Sequence, residues 1–403
     1  MARRLPASVR DIPGAGGVRE SNAAAVLAAA RTDGPLSRAE LARLTGLSMP
    51  TVSRQVTALT DLALLREAPE MATGGGIGRP TVPLRLDDDV IAACGIHIGI
   101  VTTTYGLTNL SGQLLGSERI ATPQGSATDV LRAVGEEVST FLAEWPQRHI
   151  IGVGLAIGGQ VDADRGLLDH GPLGWRGVPA RAVLEQVTGL PVHLDGHVPA
   201  MATAELLFGV SGRAASSLYF YAREMAGVAV AVDGVLHRGP GQSGSIAHLP
   251  VGSDVPCGCG RTGCLEATVA ERAVVERARS AGIITGSALS DLVAAAETDR
   301  RAREILTERA RALGRAIAMS RDLVNPELVV LGGQAITEAP TYLDTVREEF
   351  AAATTLPGTD LITVTRFGRN VQAMAACTGL LAQLYDHPLS LLGAAAPRDH
   401  REV

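Results

Sequence analysis

Hydrophobic residues recur every three or four positions in the first part of the chain, the period of a helix buried on one face. From Asn22 to about Leu65, Leu, Val and Ala follow this spacing, which predicts a small helical bundle. A Gly-rich segment at 73–80 and a short alternating run at 82–86 come next. We therefore predict a helical N-terminal module at 22–88, with the boundary to the next domain at about 86–90.

Beyond this boundary the pattern changes to strands and turns. Strands are predicted at 92–104, 105–110 and 114–120, with a hairpin turn at Ser111-Gly112, followed by a helix at 127–144 and a buried strand at 150–157. A second block repeats the first, with strands at 218–222, 227–232 and 235–237 and a turn at Asp233-Gly234. A three-strand block thus opens each half of the body, which indicates a duplicated two-lobed α/β fold. The rest, 264–403, is predicted to be mostly helical, interrupted by a strand at 328–331.

Length and composition indicate the number of folding units and the nature of the terminal segments. A chain of 403 residues is expected to form two or three folding units. Residues 1–21, rich in Pro, Gly and Arg, are predicted to be a flexible arm, 89–390 the body, and 391–403 a tail. The sequence contains neither an apolar run of about 18 residues nor a signal peptide, so we expect no membrane partner and a cytoplasmic, nucleoid-associated protein.

The segment 36–54 has the features of a helix-turn-helix. Ser37 and Glu40 can form a capping box that starts one helix, and Gly46 permits a sharp turn. Ser48 can cap the second helix, with Pro50 in its first turn. Three apolar residues are predicted to face inward from this second helix: Val52, Val56 and Leu59. The residues predicted to contact DNA are Ser48, Met49, Pro50, Thr51, Ser53, Arg54 and Thr57, together with Arg79 in the Gly-rich segment.

Short hydroxyls and one Arg are suited to phosphates and base edges, as a recognition helix requires. A Gly-rich hairpin that presents Arg79 beside that helix would act as a wing in the minor groove. The alternatives are a three-helix bundle that contacts protein and, for Arg79, an ordinary loop residue. The net charge is −6, and residues 22–70 contain five Arg against five acidic residues. Tight binding to a double-stranded DNA operator then needs two modules on one duplex, which predicts a homodimer or higher homo-oligomer.

Four potential metal ligands lie close together in the sequence: His248, Cys257, Cys259 and Cys264. Three thiolates and one imidazole can complete a closed tetrahedral site, the usual form of structural zinc, and leave no position for a catalytic water. In a reducing cytosol such clustering favours a metal over disulfides. The alternative is three incidental cysteines with a core histidine. Cys94 and Cys377 stand in apolar segments and are expected in the core.

The segment 257–266, Cys-Gly-Cys-Gly-Arg-Thr-Gly-Cys-Leu-Glu, with His248 upstream, resembles the ROK family of repressors, sugar kinases and uncharacterised relatives. Supporting matches lie at 158–162, 189–195, 325–327 and 330–333, and the resemblance covers nearly the whole chain. It implies an α/β fold class: a winged helix-turn-helix, as in the regulators of the family, joined to a two-lobed actin/hexokinase-like (ribonuclease-H-like) body. It also implies a sugar cleft between the lobes, with the zinc bracing it and supporting dimer assembly.

Three departures from the family's kinases fall at the positions that handle phosphate. The family's Asp-x-Gly-x-Thr loop begins here with His97 and lacks both the acid and the hydroxyl. The second phosphate loop, normally Gly-rich, carries Glu224, and the catalytic Asp is replaced by His197. The resemblance therefore implies a body that is not an enzyme, with no catalytic residue and no ATP.

The candidate ligand pocket comprises His197, Ser245, His248 and Glu266. The family uses the last two near sugar hydroxyls, whereas its signature Glu is Ser245 here, so we expect a modified or oligomeric sugar rather than a simple hexose. The leading hypothesis is a sequence-specific regulator, in the first instance a repressor, gated by a sugar-like effector. The alternatives are a regulator or scaffold controlled by a protein partner without a small ligand, and an active sugar kinase with an added DNA module.

Overall fold

The computed structural model describes residues 17–71, 82–239, 244–368 and 371–393. The chain divides into two compact units, the first formed by Met1–Ala200 with Gln372–Val403 and the second by Met201–Val371. Among the described residues, no helix combines the length and apolar character needed to cross a membrane.

The first unit begins with three helices and a two-stranded antiparallel sheet. Their bounds are α1 Gly17–Asp33, α2 Arg38–Thr45, α3 Met49–Asp61, β1 Leu65–Glu67 and β2 Leu84–Leu86. Leu65 pairs with Leu86 and Glu67 with Leu84. The helices enclose a small apolar core, because each buries one face: Ala23, Val26, Leu27, Leu41, Val52, Val56 and Leu59.

Local chemistry sets the turn between α2 and α3 as the sequence predicts. The Ser37 side chain accepts a hydrogen bond from the Glu40 N–H, and the Glu40 carboxylate accepts one from the Ser37 N–H at 2.8 Å. Gly46 ends α2 with a φ of 72°, a left-handed conformation that favours glycine. Ser48 then caps α3 by accepting from the Thr51 N–H.

Helix α1 starts earlier than the sequence pattern indicates. Residues 17–21, assigned above to the arm, form its first turns. Glu20 is buried and its carboxylate accepts hydrogen bonds from the backbone N–H of Leu389 at 2.9 Å and of Ser390 at 3.3 Å, and from the Ser390 hydroxyl at 3.0 Å. These donors lie in α14, Pro388–Gly393, which also extends into the predicted tail. A contact across the whole length of the chain therefore fixes both segments, and no local pattern can indicate it.

The rest of the first unit is built on a five-stranded sheet with the order β10-β6-β3-β4-β5. β3 and β4, and β4 and β5, are antiparallel, whereas β3, β6 and β10 run parallel. The strands are β3 Ile91–Ile98, β4 Thr102–Asn109, β5 Leu114–Ala121, β6 His149–Ile157 and β10 Val192–Gly196. A small antiparallel sheet contains β7 Gln160–Asp162, β8 Leu167–His170 and β9 Trp175–Val178. The helices are α4 Ala127–Leu142, α5 Ala180–Thr188, α6 His197–Phe208, which continues into the second unit, and α13 Val371–Asp386.

The second unit contains another five-stranded sheet, with the order β13-β12-β11-β14-β15. The strands are β11 Ser216–Ala222, β12 Ala226–Val232, β13 Val235–Leu236, β14 Leu328–Gly332 and β15 Ile362–Val364. The helices are α7 Leu265–Val269, α8 Glu271–Ser280, α9 Leu289–Ala295, α10 Arg300–Val324, α11 Gln334–Thr337 and α12 Leu343–Ala353. β11 and β12 form an antiparallel pair, and β11, β14 and β15 run parallel. Both sheets therefore have the same order and directions, as the repeated strand blocks predict.

Two predictions about strands are wrong. The strand predicted at 92–104 ends at Ile98, because the chain turns at 99–101 and the Gly99 N–H bonds to the Thr102 carbonyl at 3.0 Å. The second strand consequently starts at Thr102 rather than at Tyr105. The prediction for the C-terminal region also omits β15, which the structure contains. This strand has only three residues and is too short to give an alternating pattern.

Candidate functional site

The outward face of α3 carries the polar residues that the sequence predicts for a recognition helix. Ser48, Met49, Pro50, Ser53, Arg54 and Thr57 are exposed, and Thr51 is partly buried. The Thr51 hydroxyl lies 2.9 Å from the Ser48 hydroxyl and accepts a hydrogen bond from Arg54 Nη2 at 3.2 Å. Val52, Val56 and Leu59 face the core as predicted, and Gln55 is buried beside them.

Ion pairs occupy several of the arginines around this helix but not Arg54. Within the described residues, Arg38 pairs with Glu67 at 3.2 Å. Arg66 with Asp89, and Arg85 with Glu70, form two more pairs at 3.3 and 3.8 Å. Arg54 thus keeps an exposed guanidinium for an external phosphate or base edge. Arg79, the other predicted DNA contact, lies in 72–81, outside the described residues, between β1 and β2.

The second unit brings together the four predicted metal ligands. One ligand atom each of His248, Cys257, Cys259 and Cys264 lies within 4.8 Å of all the others. The backbone folds tightly here, with the Cys257 N–H bonded to the Arg261 carbonyl at 2.8 Å. Gly260 and Gly263 have φ of 88° and 73°, values that side chains rarely adopt.

Two distances within this cluster fit one tetrahedral ion. Cys259 Sγ and Cys264 Sγ are 3.7 Å apart, and Cys257 Sγ lies 3.6 Å from His248 Nδ1. Zinc bonds of about 2.3 Å to sulfur and 2.0–2.1 Å to nitrogen give tetrahedral edges of about 3.8 and 3.6 Å. A disulfide would need sulfur atoms about 2.05 Å apart, so the cysteines are not bonded to each other. These four side chains can hold a single ion with no ligand position left over.

Arg261 favours the thiolate form of one of these ligands. Its Nε donates to Cys259 Sγ at 3.5 Å, and this hydrogen bond lowers the pKa of Cys259 to about 6. Burial raises the pKa of the neighbouring Cys264 to about 11. Thiolates are the metal-binding form of cysteine, so Cys259 is favoured as a ligand near neutral pH, whereas Cys264 has to lose its proton when the metal binds.

His97, the first of the three positions where the sequence analysis expects a departure from the family's kinases, forms a contact that the sequence does not reveal. His97 is buried at the end of β3, and His197 is buried at the start of α6. His97 Nε2 lies 2.5 Å from His197 Nδ1, so the two rings share one hydrogen bond. Residues 100 positions apart meet here because β3, β6 and β10 are parallel neighbours, and α6 follows β10 directly.

Glu224 lies in the turn between β11 and β12 and contacts the start of α8. Its Oε1 accepts a hydrogen bond from the Arg272 N–H at 3.0 Å. Arg223 in the same turn pairs with Glu271 Oε2 at 3.2 Å. Helix N-termini attract anions, and here the carboxylate of the chain itself occupies such a position.

Three of the four predicted pocket residues lie together in the second unit. Glu266 Oε2 accepts from the Ala226 N–H at 3.3 Å, and the Glu266 N–H donates to the Ala247 carbonyl at 3.0 Å. Ser245 bridges to Gly227 and, like His248, is exposed. Burial raises the pKa of Glu266. The fourth residue, His197, belongs to the first unit.

Comparison with known proteins gives relatives over almost the whole chain. A transcriptional regulator of Mycobacterium tuberculosis is 41% identical over 397 residues, which cover 95% of this chain and 90% of that protein. The xylose repressor of Caldicellulosiruptor bescii is 29% identical over 337 residues, or 78% of this chain and 83% of the repressor.

Solved structures agree on the fold. The crystal structure of a ROK family transcriptional regulator, a homologue of the Escherichia coli Mlc protein, has a TM-score of 0.79 at 23% identity and covers 94% of this chain and 100% of its own. The ROK hexokinase of Thermus thermophilus has a TM-score of 0.61 at 29% identity and covers 72% of this chain and 98% of its own. The regulator thus matches over the N-terminal module as well as the body, and the α/β fold class with an actin/hexokinase-like body is confirmed.

The sequence profile of the ROK family matches residues 93–374, about two thirds of the chain. Together with relatives that extend through the N-terminal helices, this match confirms the resemblance inferred from the cysteine-rich segment. The chain belongs to the ROK family.

Proposed function

We propose that this protein is a sequence-specific DNA-binding transcriptional regulator, in the first instance a repressor, that acts as a homodimer or higher homo-oligomer on double-stranded operator DNA. The observation that carries the proposal is the exposed face of α3, where hydroxyls and Arg54, which has no ion pair among the described residues, surround a capped helix start. Relatives named as a transcriptional regulator and a xylose repressor, matched over most of their length, support it. Operator binding would place the protein on the nucleoid.

The DNA-contacting set in this proposal is Ser48, Met49, Pro50, Thr51, Ser53, Arg54 and Thr57 on α3, with Arg79 between β1 and β2. Residues 22–88 would act as the winged helix-turn-helix and 89–390 as the sensing body. In the module, five Arg balance five acidic residues over 22–70, so bulk charge contributes little affinity. Specific contacts from two modules then have to supply it.

The body of the protein is proposed to bind one structural zinc ion and to lack kinase activity. His248, Cys257, Cys259 and Cys264 supply a complete tetrahedral ligand set, so the metal would stabilise the fold and leave no site for an activated water. The turn that would approach a nucleotide phosphate carries Glu224, which already occupies the start of α8. At the two other positions that differ from the family's kinases, His97 and His197 are hydrogen-bonded to each other.

Effector control of operator affinity is the remaining part of the proposal. Ser245, His248 and Glu266 offer a hydroxyl, an imidazole and a carboxylate, groups that pair with sugar hydroxyls. A ligand can shift operator affinity only if it binds the DNA-competent and the DNA-free arrangements unequally. A protein partner docking on the body is the second candidate for the same role. Thermal-shift screening with a sugar panel, beside affinity capture, distinguishes the two.

The decisive experiment is a mobility-shift titration on DNA upstream of the protein's own gene, in the presence of competitor DNA. We expect Arg54→Ala and Arg79→Ala each to weaken operator binding by ten- to a hundredfold, as expected for loss of about 1–3 kcal/mol from a specific arginine contact. Arg132→Ala, on the exposed face of α4, is the matched control and should bind as the wild type does. Equal binding of Arg54→Ala and wild type would contradict the proposed recognition helix.

A phosphotransfer assay with the same sugar panel tests the proposal that the body is not a kinase. We expect no sugar-dependent consumption of ATP by the wild-type protein. Turnover that is lost on substitution of His197 would overturn this part of the proposal while leaving DNA binding untouched.

A further inference from the structure

The three cysteines of the metal-binding cluster differ in their exposure to solvent. Cys259 is exposed and lies in a tight turn between Gly258 and Gly260, whereas Cys264 is only 2% exposed. A side-chain carbon built at either glycine would have no other atom within 4 Å, so open space surrounds the turn on both sides of Cys259. A small solute in the solvent can therefore approach Cys259.

A second sulfur lies close to that of Cys259. Cys264 Sγ is 3.7 Å away, and a disulfide bond is about 2.05 Å long, so a small movement of the exposed turn is enough to join the two sulfurs. Arg261 Nε donates a hydrogen bond to Cys259 Sγ at 3.5 Å. Exposure, thiolate character and a neighbouring cysteine are together the features of an oxidation-sensitive cysteine.

The two cysteines outside the cluster lack these features. Cys94 and Cys377 are completely buried, and burial raises the pKa of both thiols. A buried thiol in apolar surroundings is protected from oxidants and reacts slowly, because the thiolate is the reactive form. These two residues therefore serve as internal controls in the same chain.

We propose that Cys259 is a peroxide-sensitive modification site, which hydrogen peroxide converts to a disulfide with Cys264. The inference rests on the proposed zinc site, of which both residues are ligands, because metal binding keeps cysteines in the thiolate form.

The chemistry proceeds in two steps, each of which releases water. In the first, the Cys259 thiolate attacks one oxygen of hydrogen peroxide. The S–O bond forms, the O–O bond breaks, and the departing hydroxide takes a proton from solvent. In the second, the Cys264 thiolate attacks the sulfur of the Cys259 sulfenic acid, the S–S bond forms, and the S–O bond breaks. The second hydroxide also takes a proton, so two electrons pass from the sulfurs to the peroxide.

This disulfide dismantles the metal site and loosens the segment that leads to Glu266. Only one thiolate and one imidazole then remain of the tetrahedral ligand set, too few for a structural zinc ion. Glu266 follows Cys264 by two residues, and the Leu265 N–H between them donates to the Leu249 carbonyl at 2.8 Å. Loss of the ion removes a cross-link next to this contact, so oxidation weakens the anchoring of the candidate ligand pocket.

The first test is titration of the full-length, zinc-loaded protein with hydrogen peroxide, with released zinc measured by a chromogenic chelator. We expect two thiols to be lost for each ion released, and zinc to rebind after treatment with a thiol reductant. Elemental analysis before the titration separates the two hypotheses. Purified protein without zinc would overturn both the metal site and the oxidation site, whereas zinc that stays bound in peroxide would overturn the oxidation site alone.

Peptide mapping of the oxidised wild-type protein identifies the bonded pair without any variant. Trypsin cleaves after Arg261, so the peptide 262–272 carries Cys264, and the peptide 239–261 carries the other two cysteines of the cluster. After free thiols are blocked, we expect these two peptides to be joined and a reductant to separate them. A disulfide confined to 239–261 would contradict the proposed pair.

Two variants that each remove one metal ligand show which cysteine of 239–261 forms the bond. Cys259→Ser should abolish the joined peptides, whereas Cys257→Ser should still give them on oxidation. Cys94 and Cys377 should stay unmodified in the folded protein. Joined peptides that persist in Cys259→Ser, or oxidation of the two buried cysteines as fast as that of Cys259, would overturn the proposal.

Discussion

Cys259 is the exposed cysteine of the four-residue cluster, and its sulfur is also the one to which Arg261 donates. We expect Cys259→Ser to reduce bound zinc from one per chain to well below one and to lower the melting temperature, because binding energy at a structural zinc site is folding energy. Elemental analysis of purified protein measures the first effect and calorimetry the second. Cys94→Ala, a buried cysteine outside the cluster, should keep its zinc. Metal-free wild-type protein of full stability would refute the site.

Glu205 is a buried carboxyl whose charge the surroundings support only in part. Its oxygens accept hydrogen bonds from the Thr365 hydroxyl at 2.5 Å and the Val210 N–H at 2.9 Å, yet burial dominates and raises its pKa. The folded protein therefore holds this proton at pH values where the unfolded chain has lost it. The stability from this group is complete below its unfolded pKa and declines as the pH rises through the folded one.

Replacing Glu205 with Gln removes this titration. The melting temperature of the wild type should fall relative to that of Glu205→Gln as the pH is raised from 4 to 7, as measured by calorimetry. Glu136→Gln, on the exposed face of α4, serves as the control and should follow the wild type. Parallel curves for wild type and Glu205→Gln would show that the Glu205 pKa is not raised.

At the scale of elements, the contact between α1 and α14 joins the first helix of the DNA-binding module to the last helix described. Three donors converge on the Glu20 carboxylate, and Arg31 of α1 lies 5.0 Å from the ring centre of Tyr385 in α13. We expect Glu20→Ala to speed amide exchange in 388–393 and in α1, because it leaves buried donors unpaired at about 1–3 kcal/mol. Hydrogen-exchange mass spectrometry measures this, with Glu136→Ala as the control. Unchanged protection of both helices would mean that apolar packing alone holds them.

The elements predicted best from the sequence are those whose own residues fix them. The turn of the helix-turn-helix is determined by local hydrogen bonds and a left-handed φ at Ser37, Glu40 and Gly46. The sequence pattern of these residues is therefore sufficient to predict the turn. The cysteine segment likewise folds on its own backbone bonds. Contacts between distant residues were not predictable: Glu20 with Ser390, and His97 with His197, depend on the assembled fold. The strand end at Ile98 was missed because the apolar run continues through the turn.

For the molecule as a whole, the balance of charge makes a prediction about the operator. With five Arg against five acidic residues over 22–70, one module should hold DNA weakly, and two should act together. We expect a footprint with two half-sites about one or more helical turns apart, about 34–36 Å per turn. Sedimentation should give a dimer or larger assembly at the concentration of half-maximal binding. A monomer that protects one half-site with full affinity would contradict this arrangement.

The identical strand order of the two five-stranded sheets has a consequence for the history of the chain. Matching the sheets strand by strand aligns β3 with β11 and β4 with β12, so the turn after His97 and the turn that contains Glu224 are counterparts. Such a correspondence is what duplication of one ancestral half would leave. Under the proposal that the body is not a kinase, His97 at the end of β3 and Glu224 in the turn after β11 are changes in neighbouring parts of the two copies, and each side chain bonds within its own unit.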